Sequence, residues 1–207
     1  MTKKDRISAP ERREQILQAA TLVFGEVGYA AATTDRVAQA AGISQPYVVR
    51  MFGSKENLIV EVLERTCDRI LETFRSAIAD TADPRTPAAR IGAAYVDLVE
   101  TDRGVLLSLM QGFIMGGDPR VGPVARAGIM RIYALLREQG GFTPEAARDF
   151  FASGMLINTL VASGLVNALG SDPAVAELFE CTFRDKLPMV VERLGTATAR
   201  PAEALVP

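Results

Sequence analysis

The chain contains no histidine at all. That removes the imidazole base of a Ser-His-Asp triad and every His-carboxylate metal site that one chain could build. Carboxylates are plentiful, yet no HExxH, Walker A loop, GxGxxG fingerprint or CxxC occurs. The helix-spaced pairs Glu61/Glu64 and Glu177/Glu180 read as solvated helix faces. Cysteine is nearly absent too. Cys67 and Cys181 stand alone without ligand spacing, as small buried or half-buried thiols of a reducing compartment, the cytoplasm. No cofactor and no metal is expected. Nor is there an apolar run of about eighteen residues to cross a membrane, since residues 105–117 are too few and include Gln111. The opening MTKKDRISAPERREQ is charged and lacks the apolar segment of a secretion signal.

What the chain does have is enough apolar residues for a sizeable core: 48% of 207 residues, against 23% charged. The net charge of −2 hides a polarity. Residues 1–60 carry a net +2 and the remainder a net −4. Local potential within about a Debye length governs phosphate contact, and this polarity has the sign of a DNA-binding head on an acidic body.

Residues 33–57, TTDRVAQAAGISQPYVVRMFGSKEN, spell two short helices joined by a tight turn, then a turn opening a third. Thr33 can cap the first, whose buried stripe is Val37 and Ala41 with Ala38 beside it. Gly42 ends it, and Ser44 starts the next, with Pro46 in the first turn where a missing amide hydrogen costs little. At 100° per residue, Val48, Met51 and Phe52 face a core while Gln45, Pro46, Val49 and Arg50 face outward. This is a helix-turn-helix. Its outward face holds an amide and a guanidinium suited to major-groove base edges.

The rest of the pattern is helical, with no alternating strand and no internal repeat. An opening helix from about residue 11 to 27 carries Ile16, Ala19, Ala20, Val23 and Val27, with a capping-box spacing from Ser8 to Glu11. Gly25 inside it suggests a close helix contact, and Gly28 stops it. Ser54 can cap a long helix from Lys55 to about Ala79, followed by a turn at 81–87. Helical segments near 87–100, 103–115, 120–139, 144–168 and 172–187 follow. The expected fold is all-α, with a three-helix head and about nine helices in all. The expected divisions are a helix-turn-helix DNA-binding domain over 1–54, a helical ligand-binding and dimerisation domain over 55–190, and a disordered tail over 191–207.

The head resembles that of the TetR family of bacterial one-component transcriptional regulators. The resemblance covers roughly residues 12–60: FGEVGY at the end of the first helix, then ATTDRVAQAAGIS, then FGSKENL before a long helix. Thr33, Ala38, Ala41, Gly42, Ser44, Phe52, Lys55 and Leu58 fall where the family has such residues. Where many members carry Tyr-Tyr-His or similar, this chain has Val49-Arg50-Met51. The resemblance implies a homodimer, a ligand pocket in each body, and repression released by ligand.

Gln45 and Arg50 lead the candidates for base contacts, through adenine and guanine edges respectively, with Pro46 and Val49 offering apolar surface to a thymine methyl. Arg50 could instead follow the phosphate backbone. Backbone contacts are expected from Thr33, Thr34, Tyr47 and Lys55, because helix starts present free amides to phosphate. Tyr47 could instead pack on the first helix with only its hydroxyl in water. Lys3, Lys4, Arg6, Arg12 and Arg13 supply non-specific attraction or a solvated charge run.

In the body, segments 103–115 and 120–139 hold more apolar surface than one stripe needs. Core packing explains most of it, but Leu106, Met110, Phe113, Ile114 and Met130 could line an adaptable apolar pocket, with Gln111 and Tyr133 as polar anchors. The 150–169 segment is apolar on several sides and, with the last helix, resembles the family's dimerisation pair. The interface candidates are Phe151, Met155, Leu160, Gly164, Leu178, Phe179 and Phe183. The expected partners are double-stranded DNA, a second copy of the chain and a small hydrophobic effector, with no membrane. The leading function is a ligand-released repressor acting as a homodimer on a palindromic operator. An activator or a regulator without an effector is the alternative, and a helical enzyme is remote.

Overall fold

Hydroxyl and acidic residues mark where the helices begin. In the computed structural model, which describes residues 7–183, 187, 188, 190 and 191, Ser8 Oγ accepts the Glu11 amide while the Glu11 carboxylate accepts the Ser8 amide at 2.8 Å. This reciprocal cap starts α1 (Ala9–Ala31). Thr33 accepts the Arg36 amide and opens α2 (Thr34–Ala40). Ser44 precedes α3 (Gln45–Phe52), and Ser54 Oγ accepts the Asn57 amide at 3.1 Å to open α4 (Lys55–Ala79). Thr86 and Thr143 cap α5 (Pro87–Thr101) and α8 (Pro144–Ala162) in the same way. Helix α6 (Arg103–Ile114) lies between α5 and α7 (Val121–Glu138). Asp118 and Asp172 accept amides at the starts of α7 and α9 (Pro173–Phe183). A short 3-10 turn, Leu165–Ala168, precedes α9. Among the described residues the fold is all-helical, with nine α-helices. Val191 is still helical. The rest of the 191–207 tail, like Lys3, Lys4 and Arg6, lies outside the described residues.

The chain packs as two units that do not divide after residue 54. One comprises residues 7–69 with Gly104–Arg131, so α6 and the first part of α7 pack with the head. Its core is Ile16, Ala20, Phe24, Val37, Val48, Phe52, Leu58 and Val62, most of them wholly buried. Fully burying a residue such as Phe24 contributes about 1.5–3 kcal/mol. Helix α6 is fastened to α1 by a buried bond from Ser108 Oγ to the Thr21 carbonyl at 3.1 Å. It also comes close at two glycines. A β-carbon on Gly25 would lie 2.9 Å from Leu107 Cβ, and one on Gly112 would lie 2.7 Å from Leu63 Cδ1. Ion pairs Arg65–Glu14, at 2.5 Å, and Arg13–Glu61 join α4 to α1.

The second unit comprises Ile70–Arg103 and the described residues from Ile132 onward. Edge-to-face rings build its centre: Phe74 meets Tyr95 at 6.0 Å and Phe150 at 5.8 Å, and Phe150 meets Phe142 at 5.7 Å. The buried Tyr95 hydroxyl donates to Asn158 Oδ1 at 2.9 Å, so both polar groups are satisfied. Arg90 closes the end of α4 through the carbonyls of Ala77 and Ile78.

Candidate nucleic-acid interface

Helix α3 has two chemically distinct faces. Val48 and Phe52 are buried and Met51 is half-buried, so this side belongs to the core. Pro46, Val49 and Arg50 are exposed, and Gln45 is half-buried beside them. Two of these side chains are held before any ligand arrives. Gln45 Nε2 donates to Thr34 Oγ1 at 3.1 Å, across the turn of the motif. The Arg50 guanidinium lies 4.8 Å from the centroid of the half-buried Tyr47 ring, one turn earlier on the same helix.

The flanking helix starts differ from one another. Thr33 is exposed, but its hydroxyl is engaged as the cap of α2. Lys55 is half-buried, and its Nζ donates to the carbonyls of Tyr29 at 2.9 Å and Ala32 at 3.1 Å while lying 4.2 Å from the Tyr29 ring centroid. Gly28, at φ +72°, breaks α1 just before these carbonyls. A residue with a side chain would be strained in that left-handed conformation. The Tyr29 hydroxyl donates to Glu56 at 3.2 Å. Burial and then the neighbouring Glu56 raise the Tyr29 pKa, while backbone, Ser54 and Tyr29 hydrogen bonds lower that of Glu56. The sequence reading missed this clamp between the ends of α1 and α4. Its signal was Gly28-Tyr29 followed by a Lys-Glu pair at the start of α4. Of the other head cations, Arg12 bonds Gln15, Arg13 pairs with Glu61 and lies over Phe52, and Arg36 stands exposed on α2.

The residues expected to line a pocket have varied surroundings. Leu106 is wholly buried in core. Ile114 is 75% and Met130 59% exposed, so both stand in solvent rather than lining an enclosed cavity. Met110, Gln111 and Phe113 are half-buried on α6, and the Gln111 amide lies against Gly28. Tyr133 is half-buried in the second unit. A cleft of 240 Å³ in the first unit lies elsewhere, lined by Glu64, Cys67, Pro123, Val124, Ala127, Gly128 and Arg131. Burial pushes the Cys67 thiol up to about 11, which leaves it protonated and unreactive at neutral pH.

The expected dimer residues also separate by burial. Leu160, Phe179 and Phe183 lie in the protomer's own core, where they have no free surface to offer a second copy. This corrects their placement. Both helices are apolar on more than one side, and these three residues fall on the inward side. Phe151 and Gly164 are half-buried, while Met155 and Leu178 are exposed at 37% and 41%. Met155 belongs to an outward stripe of α8 with Ala152, Leu156 and Thr159, and Leu178 to one of α9 with Ala174 and Cys181. Among the described residues, no helix is long and apolar enough to cross a membrane.

Known proteins resemble the chain in sequence and in fold. The family model for bacterial regulatory proteins of the tetR family matches residues 16–62. The HTH-type transcriptional activator FasR of Mycolicibacterium smegmatis is 38% identical over 98 residues, 47% of this chain and 45% of that protein. The chain therefore spans about half the length of FasR. The HTH-type transcriptional regulator BetI of Paraburkholderia xenovorans is 28% identical over 185 residues, 87% of this chain and 93% of that protein. The solved structure of the fatty acid degradation regulator FadR from Bacillus halodurans shares the fold, with a TM-score of 0.56 at 19% identity over 91% of this chain and 96% of that one. These relatives are regulators rather than enzymes. With its helix-turn-helix head and helical body, the chain is similar to the TetR family of transcriptional regulators, in sequence over residues 16–62 and in fold over most of its length.

Proposed function

We propose that the chain is a ligand-responsive repressor that binds a palindromic operator as a homodimer and leaves it when a largely apolar small molecule binds. The observation that carries this reading is the outward face of α3, where Gln45, Pro46, Val49 and Arg50 sit together. Thr33, Thr34, Tyr47 and Lys55 flank that face as the backbone-contacting set, joined by the exposed Arg36. Two of the three Lys55 N–H groups are already bonded, so its contribution to phosphate binding is chiefly its charge. In function the recognition domain is residues 1–54, and residues 55–190 serve ligand binding and dimerisation.

A second copy is best accommodated on the outward stripes of α8 and α9, where Met155, Leu156 and Leu178 leave apolar surface in water. Leu156→Glu should then dissociate the dimer in sedimentation experiments, because a carboxylate buried without a partner is strongly unfavourable. A monomeric wild type at micromolar concentration would overturn the dimer. The effector contacts we assign are Met110 and Phe113, because α6 is bolted to α1 and α4 at Ser108, Gly25 and Gly112. A shift of α6 acts directly on the helices that carry α3. A hundredfold preference of ligand for the released state supplies about 2.7 kcal/mol of coupling. The test is operator affinity with and without a compound shown by thermal shift to bind the protein. Weaker binding is expected, and unchanged affinity at saturation would reject release by that compound. Tighter binding would favour the second reading, an activator, which is what the relative FasR is named.

A further inference from the structure

We propose that Thr34 is a positioning residue that fixes the side-chain amide of Gln45 for adenine, setting base preference without itself touching a base. This rests on the reading of α3 as the recognition helix. A glutamine amide has two N–H donors and one carbonyl acceptor. Reading adenine in the major groove uses one of each: an N–H to N7 and the carbonyl from N6. Gln45 has one donor to spare, and Thr34 Oγ1 accepts one from Gln45 Nε2 at 3.1 Å. The groups left over form the pair that adenine requires. With the nitrogen anchored, the amide is also prevented from turning over and presenting its donor and acceptor in exchanged positions.

The placement of Thr34 supports the assignment. The side chain of Thr33, not Thr34, accepts the amide that caps α2, so the Thr34 hydroxyl is not needed to start the helix. Both Thr34 and Gln45 are half-buried, which limits competition from water for the bond between them. The neighbours Pro46 and Val49 are exposed on the same side of α3, leaving Gln45 at the edge nearest α2.

The experiment uses the full chain. Duplexes selected from a random pool by the wild type define the preferred site, and every base pair of that site is then varied. Gln45→Ala should remove the preference for adenine at one position. Thr34→Val keeps the shape but loses the hydroxyl, and should lower the preference at that same position about tenfold. Thr34→Ser should restore it, and Thr34→Val combined with Gln45→Ala should be no worse than Gln45→Ala alone. Circular dichroism and thermal melting establish that each variant is folded. Equal losses on all sequences for Thr34→Val, with a shallower salt dependence, would leave Thr34 a phosphate contact alone, with no part in base preference, and overturn the proposal. An unchanged base preference in Thr34→Val would overturn it as well. If Gln45→Ala alters no base position, the assignment of Gln45 fails and the proposal fails with it. If the wild type selects no sequence, the reading of the chain as a sequence-specific regulator fails first.

Discussion

Replacing Lys55 by methionine separates two roles that a lysine at the start of a helix can play. Methionine keeps the apolar stem but removes the ammonium, leaving the Tyr29 and Ala32 carbonyls without the bonds of 2.9 and 3.1 Å that they now accept. Hydrogen bonds to charged groups contribute about 1.5–3 kcal/mol each, and the half-buried position argues for the low end. The cation over the Tyr29 ring adds about 0.5 kcal/mol. Part is regained because water reaches the carbonyl of the half-buried Tyr29, although Ala32 is wholly buried, so the expected loss is about 2–3 kcal/mol. With a urea slope near 2 kcal/mol per molar, the midpoint should fall by roughly 1 M at fixed protein concentration. The same variant is then titrated with operator DNA across salt concentrations. Because Lys55 is engaged with the end of α1, its salt slope should change by less than the ~0.9 per phosphate contact expected for B-DNA. An unchanged urea midpoint together with a slope lower by about one per protomer would refute the clamp and make phosphate contact the whole role of Lys55.

The remaining predictions concern packing and titration. Gly112→Ala gains about 1 kcal/mol of helix propensity but pushes a β-carbon against the buried Leu63, at a cost of about 1–3 kcal/mol. We expect net destabilisation relieved by adding Leu63→Val, and a more stable single variant would contradict the close contact. Ellman's reagent should leave Cys67 unmodified in the folded protein, while Cys181 should react at a rate that falls as rising concentration drives dimerisation. Modification of Cys67 without unfolding would count against its burial, and a concentration-independent Cys181 rate against the α9 interface. The Asp83 carboxyl is held down at about 2, against 3.8 ordinarily, first by its side-chain hydrogen bond with Arg85. Its stabilising contribution is therefore whole above about pH 4 and lost as pH falls toward 2. Arg85→Gln should raise the Asp83 midpoint in an NMR titration, and an unmoved midpoint would overturn the pairing.

The helix starts were legible because their determinants are local. Ser8 with Glu11, Thr33 and Ser54 each act within three residues of themselves, and α4 runs from Lys55 to Ala79 as its cap and stripe indicated. The inward and outward faces of α3 followed from its period alone. Burial in α6 and α8 did not. Helix α6 is packed against α1 and α4 through Gly25, Ser108 and Gly112, contacts set by residues far away in sequence, so its apolar excess reflects packing on more than one side. In α8, Leu156 and Leu160 are both leucines one turn apart, yet one is 41% and the other 2% exposed. Nothing in the side chains themselves distinguishes them. The Thr34–Gln45 bond was hidden for a related reason: it spans the turn, and only the angle between α2 and α3 brings the two groups together.

The central claim, that α3 reads base sequence, is tested most directly by Arg50→Ala. Its affinity is measured by fluorescence anisotropy at one salt concentration, on the selected duplex and on a shuffled duplex of equal composition. A bidentate contact to guanine is worth about 1–3 kcal/mol of discrimination. The variant should therefore lose roughly tenfold to a hundredfold on the selected duplex and far less on the shuffled one. Equal losses on both would place Arg50 on the phosphate backbone, and a wild type that binds both duplexes alike would contradict the account.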